Sequence, residues 1–189
     1  MASFIDALPF VLGHEGTELF IDNHTGERSR YGITMQLLHS IQYGVTDPNL
    51  LTIADVQTIY NKVFWQPNNL GATNDQLVAN KIFDMMVNMG ASQAVRLLQA
   101  SLNAIGGACV IDGNLGPHTM ITLNQAPDLQ LLEELRIKCI GFYKEIATGD
   151  RAKYLAGWLT RANDTGGGTV DKAAFSTLRD GSSDRVVKG

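Results

Sequence analysis

Apolar residues recur at helical spacing along most of the chain. Phe4, Leu8, Val11 and Leu12 share one face of a first helix that Gly13 or Gly16 can end. The period breaks over residues 17–33, where Asn23, Gly26 and Gly32 mark turns, so a loop with a short irregular β-hairpin is expected. A second helix is expected from Thr34 to about Tyr43. "TIADVQTIYNKVFW" opens with Thr52 and Asp55 in capping spacing, then sets Val56, Ile59, Tyr60 and Val63 at helical intervals. "NDQLVANKIFDMMVNMG" reads as a helix capped by Asn74 and ended by Gly90. It is apolar on nearly every side and therefore central. Ser92 is expected to cap "SQAVRLLQASLNAIGG", which stops at a glycine pair. "IDGNLGPHT" is a glycine-shaped loop starting a short helix at Pro117. A long amphipathic helix capped by Asp128 follows, and "DRAKYLAGWLTRAN" forms the last helix. From Thr165 onward glycine, serine and charge dominate, as in a flexible tail.

The pattern predicts a mainly α fold of the α+β kind, a helical bundle with one small polar β-hairpin near the N-terminus. A length of 189 residues is enough for one domain with a substantial core. A net charge of -4, with no cluster of Lys and Arg, argues against a nucleic-acid partner. No apolar run approaches the roughly 18 residues a membrane span needs. "MASFIDALPFVLG" lacks a basic leader and Asp6 interrupts its apolar run, so a protein made in the cytoplasm without a cleaved signal is expected. Cys109 and Cys139 have no CxxC spacing and read as two half-buried thiols rather than a metal, redox or disulfide pair.

Candidate chemistry concentrates in "FVLGHEGTELFIDNHTGERSRYGIT", residues 10–34. Glycoside hydrolysis needs a carboxylic acid that keeps its proton near neutral pH, and desolvation beside apolar groups favours that state. Glu15 stands where an apolar helix meets a polar segment. Across the cleft the reaction needs a second carboxylate, or a polar group holding water. Asp22 and Ser29 lie in the segment expected to fold back over the helix end, although Asp22 and Asn23 also suit turns that bond their own backbone. His14 and His24 stand near Glu15 and Asp22, but their spacing is not that of a helical ligand pair such as HExxH, so no metal or other cofactor is expected. Trp65, Tyr60, Phe83 and Phe142 sit on apolar faces and read as core. Asp84 and Asn88, one turn apart on the apolar helix, either reach the surface or brace the Glu15 region. Trp158 and Arg161 either pack the last helix, the preferred reading, or touch glycan.

The same stretch resembles the signature of glycoside hydrolase family 108, bacterial and phage N-acetylmuramidases with a lysozyme-like fold. That signature runs Glu-Gly-Gly-Tyr, Asn-Asp-Pro, Gly-Gly, then Thr-x-Tyr/Phe-Gly-Ile-Thr. "EGTELFIDNHTGERSRYGIT" keeps the length, "EG", one loop glycine and "YGIT". "IYNKVFW" is similar to the family's Tyr-x4-Trp step and "IFDMMVNMG" to its Phe-Asp-x3-Asn-x-Gly helix. "LLQASLN", "IDGNLGPHT" and "GWLTR" resemble a predicted peptidoglycan domain, so the likeness covers about residues 4–163. It implies that Glu15 is the catalytic glutamate. The departures are Thr17 for the second glycine, Glu18 for the tyrosine, Phe20-Ile21-Asp22 for Asn-Asp-Pro and Ser29 for the threonine. Asp22 is the first choice for the second catalytic group, ahead of Glu27 and Glu18.

The resemblance implies one muramidase unit over residues 1–164, with a catalytic part (1–90), a peptidoglycan-domain-like helical part (91–164) and a tail (165–189). Glu15, Asp22 and Ser29 are the expected catalytic residues, and Glu27, Tyr31, Thr34 and Asn88 the expected contacts to peptidoglycan glycan strands. A lytic transglycosylase on the same fold and a non-catalytic peptidoglycan-binding module are the alternatives. A monomer acting in the periplasm or at the cell wall is expected, reaching it by holin-dependent release, as a phage endolysin does, or through a secretion system.

Overall fold

The computed structural model of the protein describes residues 1–16, 18–21 and 26–165. Among these, eight α-helices surround one hydrophobic core, with a three-stranded antiparallel sheet beside the first. This is the mainly helical α+β fold the pattern predicts. The helices are α1 (Phe4–Glu15), α2 (Met35–Ser40), α3 (Ile53–Tyr60), α4 (Gln76–Met89), α5 (Ala91–Ala104), α6 (Pro117–Gln125), α7 (Asp128–Ile146) and α8 (Leu155–Asn163). The strands β1 (Phe20–Ile21), β2 (Arg28–Arg30) and β3 (Ile33–Thr34) pair in chain order. Phe20 faces Ser29, and Ser29 faces Thr34.

Helix starts follow local chemistry. Ser3 caps α1 by accepting from the Asp6 amide. Thr52 and Asp55 form the expected capping box on α3, which continues into a π-helical turn over Asn61–Trp65. Three expected caps differ. Asp75, not Asn74, accepts from the Val78 amide at 2.9 Å, while the Asn74 backbone N–H donates to Asn124 Oδ1 at 2.9 Å. Gly90 rather than Ser92 precedes α5, and Pro127 rather than Asp128 precedes α7. α2 stops at Ser40, short of Tyr43, where Gln42 takes a left-handed φ of 51°.

α4 is the axis of the molecule. α1 and α5 pack against it, α7 packs on α5, and α8 packs on α7. Phe4, Tyr60, Trp65 and Phe83 form an edge-to-face aromatic cluster on its N-terminal side, as the reading of these rings as core expects. Every residue from Val78 to Met86 is buried, including three polar ones. Buried polar groups need partners, and here the partners fix other elements. Asn80 accepts from Gln76, whose side chain also bonds both backbone groups of Ser3. Lys81 donates to the carbonyls of Arg161, Ala162 and Asp164 at 2.9, 3.0 and 2.6 Å, clamping the C-terminal end of α8. Burial lowers the Lys81 pKa. Asp84 reaches α1 and α8 at once.

The loop between α5 and α6 is structural, as its glycines imply. Gln99 donates to Asp112, the Asn114 carbonyl and Thr119, and accepts from the amide of Gly113, whose φ is 81°. Cys109 and Cys139 are both buried and free, and burial pushes the Cys139 thiol up to about 11.

Candidate active site

Glu15 is the last residue of α1 because Gly16, at φ 68°, leaves the helical region. Its side chain is 14% exposed, so it sits at the rim of the core. The hairpin approaches from outside. Arg30 pairs with Ile33, which leaves Tyr31 and Gly32 as a two-residue turn with φ of 53° and 67°. Positive φ at both positions is what a type I′ turn requires. Space also demands glycine at the second position. A methyl group on Gly32 would overlap Glu15 Oε2 and lie 2.8 Å from its Cδ and 3.1 Å from the Tyr60 hydroxyl. Tyr31 adopts a left-handed backbone that bulky residues avoid. The buried Tyr60 hydroxyl donates a short hydrogen bond to its carbonyl, and the Arg30 guanidinium lies over its ring at 5.0 Å. "RYGIT" therefore lays the exposed Gly32 of a tight turn against the Glu15 carboxyl.

The other Glu15 oxygen faces inward. Arg161 Nη2 is 2.6 Å from Glu15 Oε1 and 2.8 Å from Asp84 Oδ1. Arg161 Nε adds bonds of 3.0 and 3.1 Å to the two Asp84 oxygens. Asp84 is only 1% exposed. Its remaining capacity is taken by His14, whose Nδ1 lies 2.9 Å from Oδ1, while His14 Nε2 stands 3.4 Å from Asp164 Oδ2. An ionised carboxylate only accepts, so His14 Nδ1 carries the proton in this pair. Burial alone would raise the Asp84 pKa, but the His14 hydrogen bond and the Arg161 charge outweigh it and hold the carboxyl below its ordinary value. Burial likewise works against the Arg161 charge, and the carboxylates of Asp84 and Glu15 more than offset it, raising its pKa. The Tyr60 hydroxyl is pushed well up by burial and then by the Glu15 charge.

Of the residues singled out in the sequence, Glu15 and the Tyr31–Gly32 turn converge. Asp22, with Asn23 and His24, lies outside the described residues. Ser29 is half-buried in β2 and shares a cross-strand row with Phe20 and Thr34. Thr34 Oγ1 caps α2 by accepting from the Leu37 amide at 3.1 Å. Glu27 accepts from the Gln36 amide at 3.0 Å, and Tyr31 is buried. Asn88 accepts from the Tyr143 hydroxyl at 2.7 Å, and that ring stacks on Trp158. Glu18 is exposed. Asp84 takes the bracing role, through a side chain read from sequence as packing: Arg161. Tyr60 and His14 also belong to the site. The available signal was an aspartate on an otherwise apolar helix, which requires a cation or donors somewhere in the fold. Among the described residues no group of three or more His, Cys, Asp or Glu side chains could hold a metal ion.

Two protein families and a solved structure are similar to the chain. Residues 8–90 match the family model of glycosyl hydrolase 108, and residues 93–163 match a family described as a predicted peptidoglycan domain. The structure of SagA from Brucella abortus is similar, with a TM-score of 0.71 at 21% identity, over 94% of this chain and 97% of that one, which shows a shared fold. No curated protein sequence matches the chain. Glu15, Gly32, Tyr60 and Asp84 fall in the first matched segment and Arg161 in the second. A glycosyl hydrolase 108 segment followed by a predicted peptidoglycan domain supports a glycoside hydrolase that acts on peptidoglycan.

Proposed function

We propose that the protein is an N-acetylmuramidase hydrolysing the β-1,4 bond between N-acetylmuramic acid and N-acetylglucosamine, with Glu15 as general acid. The observation that carries this reading is the Glu15 carboxyl, held at a helix end with Oε2 at an exposed glycine turn. A sugar oxygen approaching that turn meets the carboxyl edge-on. Glu15 protonates the leaving oxygen, Asp22 stabilises the oxocarbenium-like charge or activates water, and Ser29 orients that water. A carboxyl separation of about 5–5.5 Å gives retention and about 6.5–9.5 Å inversion. Tyr31 contributes through its turn, while Glu27, Thr34 and Asn88 hold the frame through the bonds described above. Residues 1–90 and 91–164 act as one catalytic unit. The proposed setting is wall degradation by a monomer, as a phage endolysin or a secreted muramidase.

Digestion of purified sacculi followed by mass analysis tests this directly. New reducing ends at muramic acid are expected. Products ending in 1,6-anhydromuramic acid would assign a lytic transglycosylase instead, and binding without any product would leave only a wall-binding module.

Gly32→Ala is a second test. A left-handed alanine costs about 1–2 kcal/mol, and its methyl group must displace the carboxyl that does the chemistry. Turnover is expected to fall on the order of 10²-fold, far more than the modest stability loss implies. Paired lysis assays and thermal melts separate the two effects.

A further inference from the structure

Arg161 is a buried cation bridging two carboxylates, and it comes from the last helix, across the fold from Glu15. Resting on the muramidase reading, we infer that Arg161 is the positioning residue of the general acid: it holds Glu15 Oε1 so that Oε2 is the oxygen that carries and delivers the proton. The geometry divides the two oxygens. Oε1 receives Nη2 at 2.6 Å, whereas Oε2 lies against the Gly32 turn. Asp84 makes the arrangement compatible with acid catalysis. It occupies Arg161 through Nε and Nη2, and its negative charge cancels that of the guanidinium. Towards a protonated Glu15 the neutral pair then acts as an oriented N–H donor to the carbonyl oxygen. In the chemical step the proton leaves Oε2 for the glycosidic oxygen. The carbon–oxygen bond breaks with its electron pair going to that oxygen, and the new Glu15 carboxylate is met by a cation already in place.

The aim of Arg161 is itself fixed by two buried side chains of α4. Lys81 pins the carbonyls of Arg161, Ala162 and Asp164, and Asp84 grips the guanidinium. The helical part following the first matched segment thus supplies a working piece of the centre.

Among the described residues, the charged and titratable groups that act on Glu15 are Arg161 from α8, Asp84 from α4 with its partner His14, Tyr60 from α3 and Tyr143 from α7. In Arg161→Met, kcat at the optimum falls on the order of 10²-fold with KM unchanged, because a misplaced acid loses orientation and not binding. Arg161→Lys recovers part of the rate, since one ammonium cannot fork to both carboxylates. A merely structural Arg161 would lower the amount of folded enzyme while leaving kcat per folded molecule unchanged.

Crystal structures of the folded variants give the same information without turnover: Glu15 Oε2 is expected to leave the Gly32 turn in Arg161→Met and to keep its place in Arg161→Lys. A Glu15 carboxyl oriented as in the wild type in Arg161→Met, or an unchanged kcat there, overturns the inference. Should Arg161→Met fail to fold, an Asp84→Asn variant with kcat and Glu15 orientation both unchanged overturns it equally. A wild-type protein that leaves sacculi intact sinks the muramidase reading alone, and the orientation of the carboxyl still decides the role of Arg161.

Discussion

Replacing Glu15 with glutamine is expected to abolish wall hydrolysis while leaving the folded protein and its binding to sacculi in place. The amide cannot give up a proton at any working pH, and general acid catalysis is worth on the order of 10²–10⁴-fold in rate. The fold tolerates the change because a glutamine carbonyl oxygen still accepts from Arg161 Nη2, and Asp84 continues to compensate the buried guanidinium. The melting temperature should therefore stay close to that of the wild type, so lost activity cannot be blamed on unfolding. Reducing-end assays alongside pull-down on sacculi give both readouts from one preparation. Full activity in Glu15→Gln would move the acid elsewhere in the segment, to Glu18 or Glu27, and would remove the reason for the carboxyl lying against Gly32.

How far the sequence discloses this site depends on the range of each interaction. Periodicity is local, so α1, α3, α4 and α7 are legible from apolar spacing, and the capping box at Thr52 and Asp55 from two residues. The cap of α4 is not, because Asn74 and Asp75 are both able caps, and it is Asp75 that accepts from Val78. Glu15 is legible from its position before a helix-ending glycine and from family likeness. Its chemical surroundings are not. An apolar helix end suggests a greasy neighbour, yet the nearest side chain on Oε1 is a guanidinium from the last helix. No pattern in residues 10–34 contains that fact. The signal lies on α4, where Asp84 among buried apolar residues demands a partner, and several arginines could answer. Only the packing of α8 along α7, with Lys81 gripping its end, selects Arg161.

Asp84→Ala is expected to lower stability by about 3–5 kcal/mol, the cost of breaking a buried ion pair from one side. For a domain of this size that corresponds to a fall in melting temperature of roughly 6–20 °C. Three losses add. Arg161 loses its bonds through Nε and Nη2 to the buried counter-charge, His14 loses the acceptor for Nδ1, and a small void opens in the α4 core. The effect also carries a pH signature. The folded pKa of Asp84 is depressed below its ordinary value of 3.8, so the wild-type advantage is full above that value and fades as pH falls through the lower folded one. Denaturant unfolding of both proteins at neutral pH and at about pH 3 should show the gap narrowing in acid. The half-buried surface pair of Lys138 with Glu134, 3.9 Å apart, is the control, since Glu134→Ala should change stability by no more than about 1 kcal/mol. An Asp84→Ala protein as stable as this control, or a gap equal at both pH values, would mean that the carboxylate beneath Arg161 bears no charge in the folded state. The division of labour between Asp84 and Glu15 would then fail with it.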